Sequence, residues 1–415
     1  MGRFLLCLAI GCALLAYILN PSVPDGIEER WKYRLVAASF KLYHLVGVAY
    51  SVFTSGDQSA NVAIATQAAV CLALDHVSTE HEGPGVIRTR GNFNGTRVYI
   101  YQPPQSSDEH LPGFIYFHGG GLSMGTALSF DGIARKISSR LNALVVNVDY
   151  DNTPKNKFPG PIRQAFAAVK WFLLHAREYG VDPRRIAVGG DSAGGYLSAT
   201  VSHLVHDDKT LPELKLQILI YPWTQCLDFH FPSYQKYTKE FEVGEGIVCR
   251  EGMVMFCALH AWGSARPEVF DRMMTNSHVG PSFKKSALYQ QTLAHGLLPD
   301  AYRNSSYYEG PSPSDQGDEE FWKTAKEIFL DPRFTPHFRK NMSGLPSAYV
   351  MTAGFDTLRD EGYLYAQQLK KAGVDVTLVH YEKAWHGAHW ISPTFRFSIG
   401  DRMHDDFIEF TKQRL

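Results

Sequence analysis

The chain is notable first for what it has little of. No charge of either sign is in surplus, because 41 Lys and Arg stand against 42 Asp and Glu, a net charge of −1. Without a basic excess there is no electrostatic footprint for a phosphate backbone, which excludes nucleic acid as a partner. Cysteine is scarce, with 6 in 415 residues, so the chain is no disulfide scaffold, and no C-x-x-C pair marks a zinc or redox site. No repeat of the length of a solenoid or propeller unit occurs. What is present is ordinary globular material, 45% hydrophobic and 20% charged, too apolar for a disordered chain. Its length exceeds the ~100–200 residues of a typical domain, so one large decorated domain or several are expected.

One long hydrophobic run stands out. Phe4 to Leu19 carry no charge, and the uncharged stretch continues to Pro24 before Asp25. At ~1.5 Å per residue it reaches across a ~30 Å hydrocarbon core. An uncleaved membrane anchor is favoured over a cleaved signal peptide or a buried soluble helix, because Ile18 to Pro21 make a poor cleavage site. Arg3 precedes the run while Asp25, Glu28 and Glu29 follow it, which keeps the N-terminus cytosolic and sends the remainder to the lumen. Asn94, Asn304 and Asn341 begin N-x-[ST] sequons on that side, all glycosylation candidates. Cys71, Cys226, Cys249 and Cys257 would there be permitted to pair, without the sequence specifying how.

Residues 31–75 carry apolar side chains at helical spacing, as one or two amphipathic helices packed on the body or partly embedded in a membrane surface. From about residue 84 short β-rich runs begin: 97–101, 114–117, 143–148, 186–188, 216–221, 347–351 and 376–381. Helical patterns at 162–177, 193–206, 359–372 and 402–413 lie between or after them. This alternation predicts an α/β fold with a mostly parallel central sheet and helices on both faces. Residues 222–342 break it with aromatic-rich helical pieces, placed to cover a ligand site at the strand ends. The expected division is 1–24 signal-anchor segment, 25–83 helical cap or linker, 84–221 with 343–415 catalytic core, and 222–342 inserted helical lid.

Three turns carry chemistry. Gly190-Asp191-Ser192-Ala193-Gly194 follows a strand and precedes a helix, the context in which G-x-S-x-G is a nucleophile elbow. His118-Gly119-Gly120-Gly121 follows the strand 114–117, and its glycines leave backbone N–H groups free to face a developing oxyanion. The expected donors are Gly119, Gly120 and Ala193, with His118 and Gly121 supporting the motif. Asp356 and His386 each follow a late strand, in the chain order Ser, Asp, His. Asp356 is then the acid that orients His386, and His386 the base for Ser192; Asp360, the rival acid, fits a cap or salt bridge better. His386 and His389 are three apart but lack further ligands for zinc. No metal or cofactor is implied.

The segments HGGG at 118–121, GDSAGG at 190–195, DTLRDEG at 356–362 and WHG at 385–387 resemble the hormone-sensitive lipase branch of the α/β-hydrolases, whose lipolytic members share the GDXG signature. The opening MGR, the uncharged run and the stretch from Pro24 to Trp31 resemble, within it, the arylacetamide deacetylase family, end to end. The resemblance implies an α/β-hydrolase fold and a single-pass type II endoplasmic-reticulum esterase with a lumenal catalytic domain. It implies action on lipid esters, foreign acyl esters or aryl amides, without cofactor. The chain departs from that pattern at Tyr150-Asp151-Asn152-Thr153-Pro154, at Gln164 and at Lys383-Ala384-Trp385, all bordering the expected site. The leading expectation is therefore a membrane-bound serine esterase acting on small apolar esters or amides, with no obligate protein partner. Its rival is a non-catalytic binder on the same scaffold, such as the plant gibberellin receptors, which have lost the histidine retained here as His386.

Overall fold

A computed structural model describes residues 16–54, 79–104, 110–241 and 248–415, with scattered positions between 61 and 77. Most of the uncharged run from Phe4 lies outside the described residues. Helix α1 (Arg30–Phe53) leads to an antiparallel pair, β1 (Ile87–Phe93) and β2 (Thr96–Gln102). Strand and helix then alternate through β3 (Leu111–Phe117), α2 (Asp131–Leu141), β4 (Leu144–Asp149), α3 (Gly160–His175), β5 (Val181–Asp191), α4 (Ala193–Asp207) and β6 (Leu216–Ile220). Among the described residues no strand interrupts the next stretch, which holds α5 (Pro232–Glu240), α6 (Arg250–Trp262), α7 (Pro267–Met274), α8 (Pro281–Lys284), α9 (Ala287–Thr292), α10 (Asp300–Arg303) and α11 (Glu319–Phe329). The chain closes with β7 (Ser347–Phe355), α12 (Arg359–Lys371), β8 (Val376–Trp385), α13 (Ala388–Phe395) and α14 (Ser398–Lys412).

The strands form one 8-stranded sheet in the order β1-β2-β4-β3-β5-β6-β7-β8. From β4 to β8 every neighbouring pair is parallel, and only β1/β2 and β2/β4 are antiparallel. β3 explains the apolar runs: it is buried at every residue because helices cover both faces. Its alternation divides the core. Ile115 and Phe117 point to the layer of α3 and α4, with Phe172 and Val201, whereas Phe114 and Tyr116 point to Tyr33 of α1, Ile137 of α2 and Phe407 of α14.

Among the elements that went unread in the sequence are β1 and α2. β1 is an exposed edge strand, Ile-Arg-Thr-Arg-Gly-Asn-Phe, with no apolar alternation to betray it. In α2 the charged residues mask the helical pattern, yet Asp131 and Arg135 are buried. Asp131 accepts hydrogen bonds from Thr79, Tyr101 and Arg135 at 2.5, 2.9 and 2.7 Å, the pairing a buried charge requires.

The helical insertion between β6 and β7 is joined to the core rather than resting on it. Its Phe229, Tyr234, Phe256 and Phe329 share one buried cluster with Leu197 and Val201 of α4. A disulfide between Cys226 and Cys257 ties the segment after β6 to α6 across 31 residues of chain. Closing a loop of that size stabilises a fold by ~3 kcal/mol, chiefly through the unfolded chain. The Cys226→Ala/Cys257→Ala variant is therefore expected to unfold at a lower urea midpoint than the oxidised protein by about that free energy. A midpoint unchanged by the double substitution would contradict the assignment.

Candidate active site

β5 runs Ile186-Ala187-Val188 through the middle of the sheet and delivers a sharp turn into α4. Ser192 sits there at φ 57°, ψ −118°, a region a non-glycine residue enters only under constraint. The constraint is local: the Ser192 N–H donates to the Ile220 carbonyl at 2.9 Å, and its carbonyl accepts from Trp223 N–H at 3.1 Å. A Cβ on Gly190 or Gly194 would fall 2.2 or 1.9 Å from the Phe117 carbonyl oxygen, so both flanking positions must be glycine.

Three side chains from separate strand ends meet at this turn. His386, just past β8, has Nε2 3.0 Å from Ser192 Oγ and Nδ1 2.9 Å from Asp356 Oδ2. The other oxygen of Asp356 accepts from Leu358 N–H at 2.8 Å, fixing the carboxylate's orientation. All three side chains are buried. Asp360 is elsewhere: it accepts from Ser233 N–H at 2.8 Å and pairs with Arg359 at 2.7 Å, bracing α12 against α5.

The loop after β3 departs from expectation at one residue. The Gly119 N–H, expected to face an oxyanion, donates instead to Asp191 Oδ1 at 3.0 Å. Asp191 is a buried carboxylate that must collect donors, and it also takes the Tyr116 hydroxyl at 2.6 Å. The N–H groups of Gly120, Gly121 and Ala193 meet no protein acceptor among the described residues, and Gly120 and Gly121 border the cavity above Ser192. Gly121, and not Gly119, therefore lies at the cavity with its N–H unclaimed by the described residues. The signal that could have found this is the aspartate inside Gly-x-Ser-x-Gly, a charge at a turn with no room for water. Burial pushes Asp191 up to about 6, with Tyr116, His386 and Gly119 opposing the shift.

His118 props the loop. Its Nδ1 hydrogen bonds to the Gly119 carbonyl at 2.8 Å, its ring stacks on Tyr150 at 4.2 Å, and Tyr150 donates to its carbonyl at 2.7 Å. Burial lowers its pKa, which keeps it neutral. Two of the departures from the family pattern touch: Gln164 accepts from the Asp151 N–H at 2.9 Å and donates to Asp151 Oδ2 at 2.9 Å. His389 lies against the Tyr116 hydroxyl at 3.2 Å, away from any cluster of metal-ligating side chains among the described residues. Asn94, Asn304 and Asn341 are exposed.

A cavity of about 610 Å³, its mouth included, opens over Ser192 and His386. Phe40, Met124, Phe130, Trp223, Phe256 and Trp390 wall it, and among the described residues Asp191 and His386 are the ionisable groups that line it. Among the described residues no Lys or Arg lines it to receive an anionic substrate.

A family model described as alpha/beta hydrolase fold matches residues 114–269 and 281–390. Arylacetamide deacetylase of Mus musculus is 32% identical over 427 residues, covering 98% of each chain. Neutral cholesterol ester hydrolase 1 of Rattus norvegicus is 30% identical over 426 residues, again covering 98% of both. Among solved structures, the thermostable carboxylesterase EstE1 is 26% identical with a TM-score of 0.61, covering 85% of this chain and 97% of its own. The esterase rPPE, 23% identical, has a TM-score of 0.66 over 95% and 99% of the two chains, a likeness of fold.

The raised pKa of Asp191 gives a signed pH effect. Between about pH 4 and 6 the folded protein holds this proton more tightly than the unfolded chain, so its contribution to stability falls as pH rises through that window. Asp191→Asn retains an acceptor for Gly119 and Tyr116 but cannot titrate. The difference in denaturation midpoint, wild type minus variant, is expected to decline from pH 4 to 6 and to flatten above. Asp191→Ala removes the acceptor, and kcat for a soluble ester is expected to fall about 100-fold as the loop shifts.

Proposed function

From the premise that the chain belongs to the α/β-hydrolase family matched above and is a carboxylic ester hydrolase, we propose that Ser192, His386 and Asp356 are its nucleophile, base and orienting acid. The observation that carries this is the continuous hydrogen-bonded line from Ser192 Oγ to His386 Nε2 at 3.0 Å and from Nδ1 to Asp356 at 2.9 Å.

Ser192 Oγ attacks the ester carbonyl while His386 Nε2 accepts its proton, and Asp356 stabilises the resulting imidazolium and holds its tautomer. The oxyanion lies among the N–H groups of Gly120, Gly121 and Ala193. Each such donor contributes ~3–4 kcal/mol in a site from which water is excluded. His386 returns the proton to the departing alkoxide, which leaves as the alcohol with the acyl group on Ser192. Water, deprotonated by His386, then attacks the acyl-enzyme, releasing the acid and restoring the Ser192 hydroxyl.

The aromatic walls, with no Lys or Arg among the described lining residues, suit an uncharged apolar ester. The names of the relatives, an arylacetamide deacetylase and a cholesterol ester hydrolase, bracket that class between aryl acyl compounds and lipid esters. The insertion over residues 222–342 acts as the lid, supplying Trp223 and Phe256 to the cavity.

Phe4 to Leu19 anchor the chain in the endoplasmic-reticulum membrane with the catalytic domain lumenal. The charge asymmetry around the run, the disulfide Cys226–Cys257 and the exposure of Asn94, Asn304 and Asn341 support that side.

Replacing Ser192 with Ala is expected to lower kcat for a short-chain aryl ester by about 10⁴–10⁶-fold with little change in KM, and Asp356→Asn by about 10⁴-fold. Steady-state hydrolysis measures both. A Ser192→Ala enzyme that keeps wild-type kcat would overturn the assignment. For topology, glycosidase treatment of the membrane-bound protein is expected to increase its gel mobility; a mobility unaffected by the enzyme would contradict lumenal placement.

A further inference from the structure

Helix α1 is apolar on two opposite faces. Its inner face belongs to the core: Tyr33, Val36 and Ala37 are buried with α2 and α14, and the Tyr33 ring lies 4.9 Å from Trp385, the residue before His386. Phe40 on the same side reaches the catalytic cavity and meets Trp390 edge-on at 6.1 Å. On the outer face Trp31, Leu35, Leu42, Val46 and Phe53 fall on one stripe, since their separations approximate whole turns at ~3.6 residues each. They are 67%, 55%, 46%, 46% and 88% exposed.

A helix that separates a core from water carries charge on its outer face. From Leu42 to Phe53 this helix has no Asp, Glu, Lys or Arg. It is long and apolar enough to cross a membrane, but its inner face is packed on the catalytic body, so it lies along the protein instead.

What covers the stripe is indicated by the preceding chain. The helical residues 16–19 are the described end of the uncharged run, and Tyr17 sits beside the middle of α1, its ring centroid 3.4 Å from Lys41 Nζ. Tyr17 and Leu19 are themselves exposed. Tyr17 and Leu19 thus stand beside α1 and add to its exposed apolar surface. One helix diameter, ~10 Å, separates that surface from the cavity wall formed by Phe40.

We propose that α1 is an interfacial helix, its outer stripe set among the acyl chains of a bilayer, and that the cavity opens beside it so that apolar esters reach Ser192 from lipid. This rests on the readings of Phe4 to Leu19 as an anchor and of Ser192 as the nucleophile. An amphipathic helix in this position sinks about 5–10 Å into the boundary between headgroups and chains. Phe40 and Trp390 then flank the passage from bilayer to nucleophile.

The full chain in phosphatidylcholine vesicles tests this by two readouts. In the first, Trp31 fluorescence is isolated as the difference between wild type and Trp31→Phe, with and without brominated acyl chains. Quenching of the difference spectrum is expected. If the protein floats with the vesicles and Trp31 stays unquenched, the anchor reading survives and the docking proposal fails; if it does not float, both fail. A dimer that shields Trp31 from aqueous acrylamide but not by way of lipid would give the face to a second copy and overturn the proposal.

In the second, Leu42→Glu/Val46→Glu is assayed on a soluble acetyl ester and on dioleoylglycerol carried in the vesicles. The soluble reaction is expected to stay within about twofold, which also reports an intact fold, while KM for the vesicle-borne ester rises about tenfold or more at unchanged kcat, a loss of ~1.4 kcal/mol or more in productive binding. Equal effects on the two substrates, or none on either, would overturn the proposal. Absence of hydrolysis by wild type would instead indict the hydrolase reading, leaving fluorescence to decide the docking.

Discussion

The site is organised around the close approach of the β5–α4 turn to the end of β3. The Phe117 carbonyl oxygen occupies the space that side chains at positions 190 and 194 would need. That contact permits glycine alone at positions 190 and 194, and it sets the loop from His118 to Gly121 beside Ser192. Asp191 adds a second tie between the same two segments by holding the Gly119 N–H and the Tyr116 hydroxyl. The geometry of the turn at Ser192 and that of the loop facing it are thus fixed together, and strain in one is resisted by the other.

The rest of the architecture serves to bring His386 and Asp356 to this point and to keep it dry. β7 and β8 run parallel to β5 and end on the same side of the sheet, with a register shift between Ala353 and Phe355 just before Asp356. The helical insertion and α1 approach from opposite layers and contribute Phe256 and Phe40 to one cavity. Under the proposed mechanism, apolar walls exclude water from the charges that form during acyl transfer, where low polarity strengthens every hydrogen bond to the oxyanion.

Much of this was legible in the sequence, for identifiable reasons. The strands from β2 to β8 are short apolar runs because they are buried on both faces or against one packed layer, and the motif residues follow them at recognisable turns. β1 and α2 were hidden because an exposed edge and a buried ion pair both look polar in one dimension. Ser192, His386 and Asp356 could be picked from strand–turn context, and their side chains do meet in one hydrogen-bonded line, but which glycine N–H is taken up by the Asp191 carboxylate could not. That depends on a competitor, the Asp191 carboxylate, whose reach appears only in three dimensions. The partners of Cys226 and Cys257 were equally out of reach, since several pairings satisfy the same sequence and only the placement of α6 beside the segment after β6 selects one.

The central claim is that Ser192 carries the acyl group. Peptide mapping by mass spectrometry after treatment with a fluorophosphonate probe tests it most directly. The phosphonyl adduct is expected on the peptide containing Ser192 in wild type, with labelling abolished in Ser192→Ala. Absence of labelling in wild type, or an adduct that persists undiminished in Ser192→Ala, would contradict the account.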